Sequence, residues 1–507
     1  MNDGNQRKIG AILSYVSIIA STLVQLLYTP FLIQKLGQSE YGLYSLIASI
    51  IGYLTVLDLG FGNAIIVYTS KYRAQKKYDE EKKLHGMFFI IFCIIGLIAG
   101  FLGLILYFNI PLIFGNTMNS YEIEKAKIMM LILSFNLAIT FPFSIYSSII
   151  SAYEKFVWHK LMSIVNTLLK PLLMIPLLFL GYKSIAMTVI ITIANIFVML
   201  SNYLYCKNKL KIKIKFSGFD KKLFIEIFSY SFFIFLGVVV DKVNWSVDQF
   251  ILGAVSGAVA VSLYAIASQL NTLFVNLSTA ISGVMLPKMS KMIANKATNE
   301  QLTTEFIKVG RLQFFIIFLM VSGLVIFGKE FIITWAGENF ETSYYIAIIL
   351  IMPLSIPLIQ NLGLSIMQAK NLHKFRSVLL AFMAIANIII SIPLAKLYGG
   401  IGSAIGTSIS LIVGNIIIMN IYYQTRVGIN VIEFWKQILK MLITSFIPVI
   451  IISIIMHFIE LHGYIYLIVF GSIYIVIYFI ISYFITMNSY EKNVVSMVLK
   501  KLHLIKG

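Results

Sequence analysis

Charge is scarce in this chain, and acidic charge most of all. Asp, Glu, Lys and Arg make up 12% of its 507 residues, with 21 Asp and Glu against 40 Lys and Arg; soluble globular chains carry about 25%. Of the two cysteines, Cys93 lies in an apolar run and Cys206 at the edge of another, with no metal-ligand spacing around either, so no disulfide framework is present. The six histidines fall in loops or near the ends of apolar runs, His457 among them, and none has a cysteine or carboxylate at metal spacing. No Walker motif occurs, which argues against ATP hydrolysis by the chain itself. Gly60-Phe61-Gly62 lacks the setting of a nucleotide loop and reads as helix packing. The longest external loops expected, near Asn109 to Glu122 and Gly328 to Thr342, are too short to hold a catalytic apparatus, so no enzyme is expected.

What fills the chain is apolar sequence: 59% of residues are hydrophobic and the mean hydropathy is +0.89. A hydrocarbon core about 30 Å thick takes roughly 20 helical residues to cross, more if the helix tilts. Fourteen runs meet that length: Ile9 to Ile33, Tyr41 to Thr69, Gly86 to Phe108, Ile123 to Ser151, Leu161 to Leu180, Ser184 to Tyr205, Phe224 to Ala254, Val259 to Leu286, Ile307 to Phe327, Ser343 to Gln368, Ser377 to Leu397, Ile401 to Tyr423, Ile438 to Phe458 and Tyr464 to Met487. The first follows Arg7 and Lys8 but exceeds a signal-peptide core and has no clear cleavage site, so it reads as a retained span. The expected fold is an all-α integral membrane protein of fourteen transmembrane helices.

The basic residues orient these spans, because cytoplasmic loops retain Lys and Arg. Most of the 40 lie at the N-terminus, after even-numbered spans or in the C-terminal tail, whereas the opposite side holds Lys35, Lys125, Lys127, Lys183, Lys329 and Lys396. Both termini are therefore expected in the cytoplasm, and the net charge of +19 is distributed between spans and forms no nucleic-acid face. The run Lys207 to Phe216, KNKLKIKIKF, reads as a solvated linker near anionic headgroups.

An internal repeat divides the spans. SAYEKFVWHKLMS (Ser151 to Ser163) aligns without a gap on SIMQAKNLHKFRS (Ser365 to Ser377), and GYKSIAMT (from Gly181) resembles GGIGSAIGT (from Gly399) in the same order. An even number of spans separates the copies, so they share one orientation, as in transporters whose substrate cavity lies between parallel repeats. The expected organisation is a six-helix bundle over residues 1–205, a basic cytoplasmic linker over 206–222, a second six-helix bundle over 223–424, and two extra helices with a basic tail over 425–507.

Ionisable groups at bilayer depth are costly and mark function. Those singled out are Asp58, Lys170, Asp241, Lys242 and Asp248. Asp241, Asn244 and Asp248 fall at i, i+3 and i+7 with Trp245 on the same stripe, and Gln269, Thr272 and Asn276 form a similar stripe on the next span. Such faces belong toward a bundle interior or a wet cavity. Lys170 and Lys242 either pair with an aspartate across the bundle or present positive charge to an anionic headgroup. Asp58, Asp241 and Asp248 are candidates for binding H+ or Na+, and no metal or organic cofactor is expected. Pro30, Pro142, Pro171, Pro176, Pro287, Pro353, Pro357, Pro393 and Pro448 fall in or near spans and permit bending.

The segment LGQSEYGLYSLIASIIGYLTVLDLGFGNAI, Leu36 to Ile65, resembles the N-terminal signature of the polysaccharide-biosynthesis flippases, the O-antigen and capsule repeat-unit exporters of the multidrug/oligosaccharidyl-lipid/polysaccharide exporter superfamily. The resemblance implies a monomeric flippase in a bacterial cytoplasmic membrane that moves an undecaprenyl-pyrophosphate-linked oligosaccharide outward by alternating access. It also admits a glycan polymerase and chain-length machinery as partners, besides membrane lipids. It prescribes no substrate residue; Lys170, Lys242, Asn244, Trp245, Gln269 and Asn276 are substrate-site candidates on depth and stripe alone. The alternatives are a multidrug or cation antiporter, a lipid II flippase of the same superfamily and, less favoured, a membrane glycan polymerase or ligase.

Overall fold

Lipid offers no water to the backbone, so each spanning segment must bond its own N–H and C=O groups, and a helix does so within one segment. The computed structural model describes residues 3–216, 221–282, 285–370, 372–459 and 462–501, and among them contains helices and turns but no strand. In chain order the helices are α1 (Asp3–Leu36), α2 (Gln38–Leu54), α3 (Phe61–Ala74), α4 (Tyr78–Phe114), α5 (Ser120–Ala152), α6 (Phe156–Phe179), α7 (Ser184–Asn208), α8 (Lys221–Ser282), α9 (Leu286–Ala294), α10 (Asn299–Ala336), α11 (Glu341–Ile359), α12 (Leu362–Ala369), α13 (His373–Leu411), α14 (Met419–Tyr422), α15 (Val431–Phe458), α16 (Gly463–Ile481) and α17 (Ser489–Lys501). Twelve segments of the described residues are long and apolar enough to cross a membrane.

Twelve segments and fourteen expected runs differ at two places, and a glycine explains each. A straight helix the length of α8, 62 residues, would extend about 90 Å at 1.5 Å per residue. Its geometry breaks at Gly257, with φ 84° and ψ 179°. α13 breaks likewise at Gly399, with φ 56° and ψ −134°. Beyond Gly399 the chain folds back: a Cβ at Gly402 would lie 1.9 Å from Leu394 O, one at Gly406 2.3 Å from Ser391 Oγ, and one at Gly414 2.0 Å from Met383 Sδ. The paired positions diverge evenly from Gly399, as in an antiparallel helical hairpin. A left-handed φ costs other residues about 1–2 kcal/mol, so glycine, not proline, marks both breaks.

The chain divides into two compact units, Met1–Ser262 and Leu263–Gly507. The first therefore includes the basic linker and α8 past Gly257. Its core joins Phe61 of α3, Phe88 and Phe92 of α4, Phe141, Ile145 and Ile149 of α5, and Ile227 of α8. The linker lies on this core in alternating fashion. Leu210, Ile212 and Ile214 pack against it, while Lys209, Lys211, Lys213 and Lys215 are exposed. Lys215 N–H donates to Lys82 O at 3.1 Å, and its ammonium pairs with Asp79 at 3.2 Å. A fully solvated linker was the expectation; here only its lysine face meets solvent, because isoleucine at every second position has a core to bury against.

In the second unit, α16 packs on α10 through two buried tyrosines. Tyr478 donates to Phe315 O at 2.9 Å, and the Tyr474 and Ser322 hydroxyls lie 2.5 Å apart. Near the end of that unit, Arg311 of α10 binds Glu491 of α17, with Nε and Nη2 at 2.5 and 2.9 Å from its two carboxylate oxygens.

Candidate functional site

The charged groups chosen from sequence do not all converge. In the first unit α2 and α8 approach closely and antiparallel. A Cβ on Gly42 would lie 1.8 Å from Ala258 O, and one on Gly253 would lie 2.7 Å from both terminal methyls of Leu46. Farther along, the Lys242 ammonium lies 2.8 Å from where Gly52 would carry a Cβ. Gly52 thus leaves room for the lysine on the facing helix. Lys242 is half-buried, and no described carboxylate lies within ion-pair distance of it. Asp248 is 1% exposed and within electrostatic reach of Tyr53, whose buried hydroxyl has no hydrogen-bond partner among the described residues. The side chains of Asp241, Asn244 and Trp245 lie outside the described residues.

Asp58 has a local task. The end of α2 tightens into a 3-10 turn at Thr55–Asp58, Leu59 and Gly60 take left-handed conformations, and α3 begins at Phe61. The backbone N–H groups of Gly60 and Gly62 bond the Asp58 carboxylate. The Leu-Asp-Leu-Gly-Phe-Gly signature is therefore a helix break whose aspartate satisfies the first free donors of the next helix.

Lys170 sits half-buried on α6, one turn beyond Asn166, with no described carboxylate at ion-pair distance. It makes no bond to the α2–α8 group among the described residues. A ladder of amides starts beside it: Asn166 Nδ2 donates to Asn195 Oδ1 of α7, and Asn195 Nδ2 to Asn136 Oδ1 of α5, each at 3.5 Å. Asn166 Oδ1 has no hydrogen-bond partner among the described residues. A search for formal charge passes over such amides. The signal that finds them is asparagine inside an apolar run.

A second group links α2, α5 and α7. Glu40, 8% exposed, accepts from Lys125 and Ser184, and the Lys125 ammonium lies 4.1 Å from the centre of the Tyr121 ring. Cation and carboxylate are a buried pair that fastens three helix ends. His85, expected near a span end, is 1% exposed within α4 and lies 3.1 Å from the Thr69 hydroxyl. Outside the spans, Tyr153 donates to Glu81 at 2.7 Å with the Arg73 guanidinium 3.6 Å from its ring; burial, with the carboxylate's help, pushes the phenol pKa up.

In the second unit Gln269 is half-buried, while Thr272 and Asn276 are exposed. The unit's buried polar centre is elsewhere, at a break between α11 and α12. Asn361 Nδ2 and Gln313 Nε2 each donate to Ser278 Oγ at 3.3 Å, and Ser278 donates to Leu358 O at 2.9 Å. Gln313 is fully buried and its Oε1 has no partner. Gln360 exchanges bonds with Asn420, whose Oδ1 also accepts from Trp435 Nε1 at 3.0 Å. The shortlist of ionisable residues omitted Arg311, which lies inside the expected span Ile307 to Phe327 and is 8% exposed. Its partner Glu491 comes from α17, so its burial is electrostatically compensated. Between α10, α11 and α15 runs an apolar cavity of about 320 Å³, lined by residues that include Phe318, Val325, Ile356, Leu439 and Phe446. Among the described residues no group of His, Cys, Asp and Glu is arranged to hold a metal ion.

A family profile described as polysaccharide biosynthesis protein matches residues 8–293, more than half of the chain and including Leu36 to Ile65. A Shigella flexneri protein provisionally named an O-antigen transporter is 24% identical over 419 residues, spanning 79% of this chain and 94% of that protein. Among solved structures, a lipid II flippase in an inward closed conformation aligns with a TM-score of 0.74 at 20% identity, covering 94% of this chain and 98% of that one. An inward-facing multidrug resistance transporter of the MATE family aligns at 0.65 with 13% identity, covering 80% and 94%. At these identities the two structures speak for the fold, and the family match for descent: the chain belongs to the polysaccharide biosynthesis protein family.

Proposed function

We propose that the protein moves an undecaprenyl-pyrophosphate-linked oligosaccharide repeat unit from the cytoplasmic to the outer leaflet of a bacterial cytoplasmic membrane, for O-antigen or capsule synthesis. In this reading the chain crosses fourteen times, α8 and α13 each counting twice because they break at Gly257 and Gly399. Both termini are cytoplasmic, residues 206–222 join two six-helix bundles, and alternating access works between these halves.

The observation that carries the reading is Lys242, admitted by Gly52 on the facing helix and without a described carboxylate partner. A half-buried ammonium with no carboxylate beside it among the described residues suits a substrate that brings two phosphates. Lys170, with the amides of α5, α6 and α7 beside it, offers a second cation and hydrogen bonds for sugar hydroxyls. Asn244, Trp245, Gln269 and Asn276 remain the further substrate-site candidates, and an exposed amide such as Asn276 at bilayer depth fits a wet cavity better than lipid. The apolar cavity between α10, α11 and α15 matches the chemistry of the isoprenoid tail. Asp241 and Asp248 are the candidates for coupling to H+ or Na+. Asp58, already bonded to two backbone N–H groups, is the weakest of the three.

The test uses proteoliposomes loaded with a labelled lipid-linked oligosaccharide. Lys170→Ala and Lys242→Ala should each cut outward transfer at least about tenfold, the worth of one lost charge-assisted contact. Transfer unchanged at equal protein level would remove both lysines from the mechanism. Saturable transport of organic cations without transfer of the lipid-linked sugar would favour the multidrug reading.

A further inference from the structure

A second cavity, about 550 Å³ in volume, opens in the unit Leu263–Gly507 where α9, the end of α12 and the first turns of α13 meet. Ser290, Gln368, Arg376 and Ser377 give it a polar lining beside Leu286 and Met367. Among the described residues Arg376 is its only charged lining residue. The guanidinium is half-buried, and among the described residues no carboxylate lies within ion-pair distance of it. Neighbouring cations are engaged elsewhere: Lys288 pairs with Glu305, and Lys370 donates to Asn299 Oδ1 at 3.1 Å and Val427 O at 2.7 Å. Both α9 and α13 begin beside the cavity without a side-chain cap, so their positive ends add to the charge of Arg376.

The internal repeat isolates what is special here. The gapless alignment of Ser151–Ser163 on Ser365–Ser377 sets Glu154 opposite Gln368 and Met162 opposite Arg376. Of the aligned positions that line the cavity, Gln368 stands for Glu154, Ala369 for Lys155 and Arg376 for Met162, so the second copy has lost the carboxylate and carries its cation at Arg376 instead. Met162 is 8% exposed and serves packing. A role shared by both halves would not need that exchange. A cavity that has exchanged its carboxylate for an amide and holds a guanidinium with no counter-charge among the described residues points to an anion that only this half receives.

We propose that this cavity binds a diphosphate group, with Arg376 as a bidentate clamp and Ser290 and Gln368 as hydrogen-bond donors. The volume falls in the range of small-molecule sites and admits a diphosphate with part of an attached sugar. Resting on the flippase reading, the diphosphate is the substrate's headgroup. The loops after the eighth and tenth expected spans place the cavity on the cytoplasmic side, so it captures the headgroup before Lys242 and Lys170 receive it.

The experiment is calorimetric titration of the full chain in zwitterionic nanodiscs with two probes, inorganic pyrophosphate and farnesyl diphosphate. Both should bind; Arg376→Gln should weaken each by about tenfold or more, and Arg376→Lys should recover part of the loss. Gln368→Glu, an exposed change that leaves Arg376 in place, should weaken both as well, whereas Lys329→Ala, which removes an exposed cation paired with Glu341, should leave pyrophosphate binding unchanged. Equal affinity of wild type, Arg376→Gln and Gln368→Glu for pyrophosphate overturns the site. Pyrophosphate binding that depends on Arg376, with no binding of farnesyl diphosphate, overturns the assignment to a lipid headgroup. The flippase reading is scored separately in proteoliposomes: transfer with Arg376-independent binding removes this site alone, and Arg376-dependent binding without transfer of lipid-linked sugar removes the flippase reading alone.

Discussion

Replacing Glu491 with alanine strikes the most completely buried ion pair of the second unit. Glu491 is 0% exposed and accepts from Arg311 at 2.5 and 2.9 Å and from Asn488 N–H at 2.8 Å. Without it the Arg311 guanidinium keeps one described acceptor, Thr486 O at 3.3 Å. Leaving one charge of a buried pair uncompensated costs about 3–5 kcal/mol, and the cap shared with Asn488 adds about 1 kcal/mol. Removing both charges, Arg311→Met with Glu491→Leu, should cost far less, because a buried pair gains little beyond its own desolvation. The measurement is a double-mutant cycle on unfolding in mixed SDS and mild-detergent micelles, followed by tryptophan fluorescence. The expected coupling is about 2 kcal/mol or more. A Glu491→Ala protein within about 1 kcal/mol of wild type, the worth of a surface pair, or additive single costs, would refute the argument.

Gly42→Ala puts a Cβ 1.8 Å from Ala258 O, so it should cost about 1–3 kcal/mol as an overpacked contact and slow transfer. An alanine protein with wild-type unfolding and wild-type transfer would show that α2 and residues 258–262 need not approach so closely. Asp58→Asn should preserve transfer and its ion dependence, since an amide oxygen still accepts from Gly60 and Gly62, while Asp58→Ala should lose about 1 kcal/mol of stability; an ion dependence altered by Asp58→Asn would contradict the capping role. For Asp241→Asn and Asp248→Asn the expected outcome is transfer that no longer responds to a proton or sodium gradient. A response identical to wild type in both would end their candidacy for coupling.

Hydropathy alone marked the runs in which the twelve candidate spans of the described residues fall, and the breaks at Gly257 and Gly399 lie in the short gaps between runs, Ala254 to Val259 and Leu397 to Ile401. Leu36 to Ile65 pointed to the family that the profile over residues 8–293 establishes. Other features were out of reach for definite reasons. Glu491 lies 180 residues from Arg311, and nothing local marks it as the partner. Asn136, Asn166 and Asn195 are uncharged, so a list of ionisable groups omits them, and their value comes from three helices that meet. The alternation in Lys207 to Phe216 was visible, but not that a core waited beneath its isoleucines.

Glycine as the breaker at 257 and 399 came from the structure, while sequence by itself determined how many apolar runs there are and which segments between them hold the lysines. Those follow from transfer free energy and local sterics, which depend on composition and near neighbours. Only the tertiary structure decided which buried charges are compensated, because compensation is a distance between residues far apart in the chain. Arg311 and Lys125 have carboxylates within bonding reach, whereas Lys170, Lys242 and Arg376 have none among the described residues.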